Sequence, residues 1–179
     1  VFELTKGIGV GDLVEFTGEL LSVKLGPGLL GKIYDGLQNP LPELAEQCGF
    51  FLDRGVYLDP LDDTNTWDFS PSVNPGDKVE QGDQIGSVQE GIFTHWIMVP
   101  FYLSGTLTVK NILPQGSYKI NDTIAEVEDE KGNTHQLTMV FTWPVKRAIK
   151  SYSERLKPSE PMITKVRMID TFIPVAKGG

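Results

Sequence analysis

The chain has 179 residues, of which 40% are hydrophobic and 22% are charged, and its formal net charge is −8. This composition predicts a globular protein of one or two domains, and the negative charge argues against a nucleic-acid partner, which needs clustered lysine and arginine. A single cysteine, Cys48, cannot form an internal disulfide and favours a reducing compartment. We expect a soluble cytosolic chain, because no apolar run reaches the length of a membrane span and no signal-peptide pattern is present.

The N-terminal region is rich in glycine. Residues 7–12 predict a β-turn, since their spacing does not fit the G-x-G-x-x-G fingerprint, and residues 13–16 predict a strand. The chain starts at Val1 in what reads as the middle of a strand, so we interpret it as a fragment of a larger protein.

A phosphate-loop pattern occurs in GPGLLGK, residues 26–32, which satisfies G-x-x-x-x-G-K after a predicted strand. Ile33 occupies the position where the motif needs Ser or Thr to ligate magnesium, and Pro27 removes one backbone N–H donor. The turn signature Tyr34-Asp35-Gly36 argues against a following helix. We therefore expect no nucleotide site in this loop.

A short helix is predicted for residues 42–53, with Pro42 in its first turn and Gly49 as a possible end. Cys48 lies in this region without a partner base. We interpret it as a small structural residue rather than a nucleophile.

An acidic segment follows a strand predicted for residues 56–59. Residues 60–69 lack the glycine and the terminal glutamate of a calcium-binding loop, so a solvated loop is favoured. Trp67 and Phe69 are expected to anchor this loop on the protein rather than to bind a ligand.

The central stretch, residues 74–105, alternates short apolar strands with turns built on Pro, Gly and Asp. The pattern returns about forty residues later. Residues 113–117 match the turn at residues 74–77, and residues 121–124 match residues 82–85. Two copies of one β-unit predict a pseudo-symmetric barrel in which each half covers the apolar face of the other.

This stretch resembles the barrel-sandwich hybrid fold of biotinyl and lipoyl carrier domains. Carriers present a modified lysine on the hairpin between the two halves, which here corresponds to residues 89–96. No lysine occurs between Lys78 and Lys110, so the acyl-carrier chemistry is not expected.

The two histidines, His95 and His135, have no second ligand at metal-binding spacing, and we interpret both as hydrogen-bonded structural residues. His135 is predicted on a hairpin strand. His95 and Trp96 lie on the hairpin, where a contact with another protein is an open alternative.

The C-terminal part predicts an extended linker at residues 146–161 and a helix at residues 164–173. Val166, Ile169 and Phe172 recur at helical spacing, and Pro174 ends the helix.

Three passages resemble the catalytic A subunit of vacuolar-type and archaeal-type rotary ATPases: LSVKLGPGLLGKIYDGLQNPL, then LTMVFTWPVK, then PMITKVRMIDTFIPVAKGG. In that family the segment between the first two passages is an insertion, called the bulge or non-homologous region, with a hybrid-like β-fold. The resemblance implies a mainly β chain in three parts. Residues 1–41 would end an N-terminal barrel, residues 42–133 would form the bulge, and residues 134–179 would lead towards the phosphate loop of a truncated nucleotide-binding domain.

The resemblance implies that the complete subunit makes or hydrolyses ATP with magnesium and couples this reaction to ion transport. The implied partners are B subunits in an alternating hexamer, a central rotor and a peripheral stalk, on the cytoplasmic face of a membrane. Within this chain we expect no catalytic, cofactor-binding or metal-binding residue, and a structural role with stalk contact through the bulge. The alternative is a non-acylated hybrid module that serves as a binding domain in a carboxylase-like enzyme.

Overall fold

The computed structural model describes residues 6–16, 18, 20–49, 51, 55–149 and 157–178, which lie in two units, Val1–Ile149 and Lys150–Gly179. The described part of the first unit is mainly β-structure with one helix. Its elements are β1 (Ser22–Leu25), α1 (Leu41–Cys48), β2 (Thr66–Pro71), β3 (Lys78–Val79), β4 (Gln84–Glu90), β5 (Phe93–Met98), β6 (Leu107–Ile112), β7 (Gly116–Lys119), β8 (Ala125–Glu128), β9 (Thr134–Leu137) and β10 (Phe141–Pro144).

Two four-stranded antiparallel sheets form the centre of this unit, with strand orders β5-β4-β2-β7 and β3-β6-β8-β9. The predicted repeat explains the arrangement, since β2 to β5 correspond in order to β6 to β9. The short second strand of each copy pairs with the first strand of the other copy: β3 pairs with β6, and β7 pairs with β2. Each sheet therefore holds three strands from one copy and one from the other, which confirms the pseudo-symmetric barrel sandwich.

An aspartate closes each repeated turn in the same way. At Asp83 the backbone N–H donates to the Glu80 carbonyl oxygen, while the carboxylate accepts from the Glu80 N–H at 2.8 Å. Asp122, 39 residues later in the chain, makes the same pair of bonds with Lys119. This pair of hydrogen bonds between residues three apart fixes a reversal locally, which is why the turns were readable from the sequence. The predicted turn at residues 7–12 is confirmed with the same scheme, between Gly9 and Asp12.

One hydrophobic core lies between the two sheets, and both copies contribute to it. The fully buried side chains of Phe69 and Ile85 come from the first copy, and those of Ile124 and Leu137 from the second. The ring of Phe69 occupies the space above Gly86 on the neighbouring strand. A Cβ atom on Gly86 would lie 2.3 Å from the Phe69 ring and 2.8 Å from the carbonyl oxygen of Ser70.

The chain enters and leaves the sandwich through one antiparallel pair, β1 with β10, in the register Leu25 to Phe141. The other side of β1 is completed by a side chain: the Gln38 amide accepts from the Lys24 N–H and donates to the Lys24 carbonyl oxygen, both at 2.7 Å. An insertion leaves its host domain at neighbouring points, so the implied insertion predicts that the flanking residues 25–33 and 137–141 lie close together. The pairing of Leu25 with Phe141 confirms this prediction.

Two predicted strands are wrong. Residues 13–16 form no strand, and Leu13 is 97% exposed, because no described segment pairs with them. Residues 56–59 form none either, since the Leu58 N–H donates to the side-chain oxygen of buried Asn39 instead of to a strand.

The acidic segment is shorter than predicted, because Trp67 and Phe69 belong to β2 rather than to a loop. Residues 66–71 join the sheet because the side chain of Phe69 is buried in the core. The remaining loop is closed by Asp62, whose carboxylate accepts from the Thr64 N–H and from the Asn65 amide.

The predicted helix near residue 42 is confirmed as α1, with Pro42 at its start and Gly49 at its end. Gly49 has a φ of 70° and donates its N–H to the Ala45 carbonyl oxygen, the usual way a glycine ends a helix. The last predicted positions, residues 50 and 52–53, lie outside the described residues.

The second unit contains β11 (Pro161–Met162), α2 (Arg167–Phe172) and β12 (Val175–Ala176), and β11 pairs with β12. The predicted helix at residues 164–173 is present but shorter. The Asp170 carboxylate reaches back to the N–H groups of Thr164 and Lys165, which keeps those residues outside the helix. Residues 150–156, seven of the sixteen residues of the predicted linker, lie outside the described residues. No helix in the described ranges is long and apolar enough to cross a membrane.

The mainly β fold class is thus confirmed, and the core defines where the sandwich ends. β9 begins at Thr134, and the side chains of Leu137 and Met139 are buried in the common core. A fragment that ends at residue 133 would lack these two core residues, so the core of the sandwich extends beyond residue 133. The boundary at residue 133 stays a prediction about where the bulge ends in the complete subunit.

We predict that Gly86→Ala destabilises the protein by about 1–3 kcal/mol, because the new methyl group overlaps the immobile Phe69 ring. Gly36→Ala is the matched control, since nothing lies within 4 Å of a Cβ atom there. Urea unfolding followed by circular dichroism measures both changes. Equal stability of the two variants would contradict the packing described.

Candidate functional site

The glycine-rich loop, residues 26–32, directly follows β1 and does not have the surroundings of a nucleotide loop. Gly28 and Gly31 have φ values of 103° and 78°, so the backbone coils through conformations that favour glycine. Pro27 is fully buried, and the next secondary-structure contact is an isolated bridge between Tyr34 and Pro40 rather than a helix. The sequence prediction of a turn after the loop is confirmed.

The backbone donors of this loop already hold an anion, which is a carboxylate of the same chain. Oε1 of Glu90 accepts a hydrogen bond from the Gly28 N–H at 2.7 Å and another from the Leu30 N–H at 2.9 Å. Glu90 lies 62 residues from Gly28 in sequence and is only 6% exposed. Backbone N–H groups that converge on one oxygen form a nest for negative charge.

The second oxygen of Glu90 contacts His95. Oε2 of Glu90 lies 2.7 Å from Nδ1 of His95. The two residues face each other because β4 and β5 are joined by a two-residue turn, Gly91-Ile92, with Glu90 opposite Phe93 and Val88 opposite His95. A positive φ of 60° at Gly91 makes this tight connection possible. All three observed contacts of the buried carboxylate are hydrogen bonds, as a buried charge requires.

The β4–β5 hairpin is the position where carrier domains present lysine. Here its tip carries Ile92 and Phe93, which are 88% and 56% exposed. His95 turns towards Glu90, whereas Trp96 lies on the opposite face of β5 and is largely exposed. The two residues suggested together as a protein contact are therefore separated, and only Trp96 is presented outwards.

The corresponding hairpin of the second copy, β8–β9, repeats the acid–histidine pairing with both side chains partly buried. The Asp129 carboxylate accepts from the Asn133 N–H and amide and lies 3.3 Å from Nε2 of His135. The Asn133 bonds, with smaller contributions from His135 and the Lys131 N–H, hold the pKa of Asp129 well below its usual value. His135 lies on β9, as predicted. The tip also carries Lys131, which the sequence argument overlooked because it considered only the first hairpin.

The remaining residues considered from sequence are not brought together. Cys48 ends α1 and is partly exposed. Nζ of Lys32, in the glycine-rich loop, lies 3.7 Å from Oε1 of Glu43. Among the described residues, no group of three or more His, Cys, Asp or Glu side chains is arranged to hold a metal ion. The expectation that this chain contains no catalytic, cofactor-binding or metal-binding residue stays a prediction.

Glu90 was missed by sequence reasoning, although a signal was present. Ile85 to Glu90 lies in a strand whose buried positions include Val88 and Glu90, two residues apart. Because alternate residues of a strand point to the same face, an acid in this register predicts a buried carboxylate that needs donors. The sequence did not indicate which donors would meet it.

Known proteins resemble this chain over its whole length. Residues 58–146 match the family described as the ATPsynthase alpha/beta subunit barrel-sandwich domain. The chain is 64% identical over all 179 residues to the V-type ATP synthase alpha chain of Treponema denticola, of which it covers 30%. It is 58% identical to V-type ATP synthase alpha chain 1 of Treponema pallidum and 59% identical to the alpha chain of Borreliella burgdorferi, again over its whole length and covering 30% and 31% of those proteins. The chain therefore belongs to the family of V-type ATP synthase alpha chains and spans about 30% of the length of the relatives it matches.

Proposed function

We propose that this chain is the barrel-sandwich portion of an alpha, or catalytic A, subunit that makes or hydrolyses ATP and couples the reaction to ion transport. The observation that carries the proposal is 64% identity, without a break in coverage, to a protein named V-type ATP synthase alpha chain. The complete subunit would use Mg-ATP. It would work with B subunits in a hexamer, a central rotor and a peripheral stalk, on the cytoplasmic face of a membrane.

Within that subunit we assign the segment a structural role. The donors of the phosphate-loop-like sequence are occupied by Glu90, Pro27 supplies no N–H, and Ile33 offers no magnesium ligand. These features support a structural role for the loop. In the proposed division, residues 1–41 end a barrel, residues 42–133 form the bulge, and residues 134–179 lead into the nucleotide-binding domain. The pairing of β1 with β10 supports an insertion whose two ends leave the host domain at neighbouring points.

The bulge would contact the peripheral stalk, and the tip of the β4–β5 hairpin is the surface we propose for it. Ile92 and Phe93 are adjacent and exposed, and the tip carries no charged side chain other than the buried Glu90. Apolar residues at a rigid two-residue turn are suited to insertion into a partner, because little conformational entropy is lost on binding.

The isolated chain is predicted not to bind Mg-ATP specifically, because the carboxylate of Glu90 already occupies the loop donors. Isothermal titration calorimetry should give no saturable heat, and Lys32→Ala should leave the trace unchanged. A saturable signal that Lys32→Ala abolishes would show that the loop is a nucleotide site and would contradict the structural role.

In the complete subunit, Ile92→Glu together with Phe93→Glu is predicted to reduce retention of the peripheral stalk and ATP-driven ion pumping, since two charges replace the apolar tip. Nucleotide binding should be unaffected. Thr94→Glu, on the opposite face of the same strand, is the control. The stalk assignment fails if the double variant assembles and pumps as well as Thr94→Glu. A non-acylated module of a carboxylase-like enzyme, the alternative, predicts no ion pumping in any variant.

A further inference from the structure

The contact between Glu90 and the glycine-rich loop has the features of a ligand in a binding site. Two N–H groups, from Gly28 and Leu30, converge on a single carboxylate oxygen at 2.7 and 2.9 Å. The side chain that fills the site is more than nine-tenths buried. The same arrangement of coiled backbone and converging donors binds anions in phosphate loops.

The site recognises the carboxylate without help from the lysine of the loop. Nζ of Lys32 lies 3.7 Å from Oε1 of Glu43 on α1, and no lysine or arginine in the described part of the chain pairs with Glu90. The groups that face Glu90 are the two N–H donors, the imidazole of His95 at 2.7 Å and the nearby Tyr34. Burial, and then the charges of Glu43 and Glu90, raise the pKa of the Tyr34 hydroxyl, so Tyr34 stays neutral beside the carboxylate. The binding strength therefore resides in backbone dipoles and one imidazole.

The shape of the site follows from the side chain that fills it. Replacing Glu90 by alanine removes Cγ, Cδ and both carboxylate oxygens, and acetate has the same four heavy atoms. A cavity left by this truncation would keep the two N–H donors and the imidazole in place, because the flanking strands β1, β4 and β5 are held by their own ladders. Unpaired donors in a buried cavity favour uptake of an acceptor.

We propose that residues 26–32 form a carboxylate-binding loop, that Glu90 is its tethered occupant, and that the pair clasps the end of β4 to the segment that follows β1. The clasp joins the segment after β1 to the hairpin tip 62 residues away. The clasp thereby fixes the glycine-rich loop against the end of β4, next to the tip that carries Ile92 and Phe93. Another small carboxylate can take the place of Glu90 when that side chain is absent.

The test follows the amide protons of Gly28 and Leu30 by hydrogen exchange in the full chain. In Glu90→Ala both should exchange about tenfold to a hundredfold faster than in the wild type, because a charge-assisted hydrogen bond to each is lost. Adding acetate should restore most of the protection, whereas sodium chloride at the same ionic strength should not. Glu43→Ala removes an exposed acid near the same loop and should leave both amides unchanged.

Each outcome decides the proposal. Wild-type protection of both amides in Glu90→Ala would show that Glu90 is not the occupant. Recovery with inorganic phosphate but not with acetate would overturn the assignment to a carboxylate. Should Glu90→Ala fail to fold, Glu90→Leu fills much of the same space without any acceptor oxygen. Faster exchange confined to Gly28 and Leu30 then supports the clasp, and unchanged exchange at both overturns it.

Discussion

The exchange of one short strand between the two halves is the constraint on which the rest of the structure depends. β3 completes the sheet of the second copy, and β7 completes the sheet of the first. Neither half has a complete sheet or a covered apolar face without the other. Side chains from both halves, such as Phe69 and Ile124, fill one core, so the sandwich must form as a unit. The close packing of Phe69 on Gly86 shows how little space this arrangement leaves.

A buried charge joins the sandwich to the segment that leads into it. Removing a carboxylate from water is costly unless donors replace the lost hydration. Glu90 finds these donors in Gly28, Leu30 and His95. This arrangement supports the proposal that the loop binds no nucleotide, although its sequence matches part of the phosphate-loop motif. The backbone N–H groups of Gly28 and Leu30 are arranged to bind an anion, and the carboxylate of Glu90 is that anion. The same feature thus connects the fold to the structural role proposed for this part of the alpha chain.

The parts of the fold that were predictable from sequence depend on local chemistry. The aspartate-closed turns at Asp83 and Asp122 and the end of α1 at Gly49 are fixed by residues within a few positions of one another. The repeat was visible because these local turn patterns recur about forty residues apart. The Glu90 contacts were beyond such reasoning, because they join residues far apart in sequence. The closeness of β1 and β10 was expected from the implied insertion, but their register was not. The strand predicted at residues 13–16 was wrong for a related reason: the composition suits a strand, but a strand also needs a neighbouring strand to pair with. Trp67 and Phe69 were placed in a loop because nearby acids suggested one, while burial of Phe69 decided the structure.

The most direct test of the account is a chimera. The 179 residues would replace the matching segment of the Treponema denticola alpha chain, to which they are 64% identical without a break in coverage. The assembled complex would then be assayed for ATP hydrolysis and for coupled ion transport. A barrel-sandwich segment of the same family should give an assembled, coupled enzyme with activity close to that of the parent. A chimeric subunit that folds and binds nucleotide but neither assembles nor couples hydrolysis to transport would contradict the account.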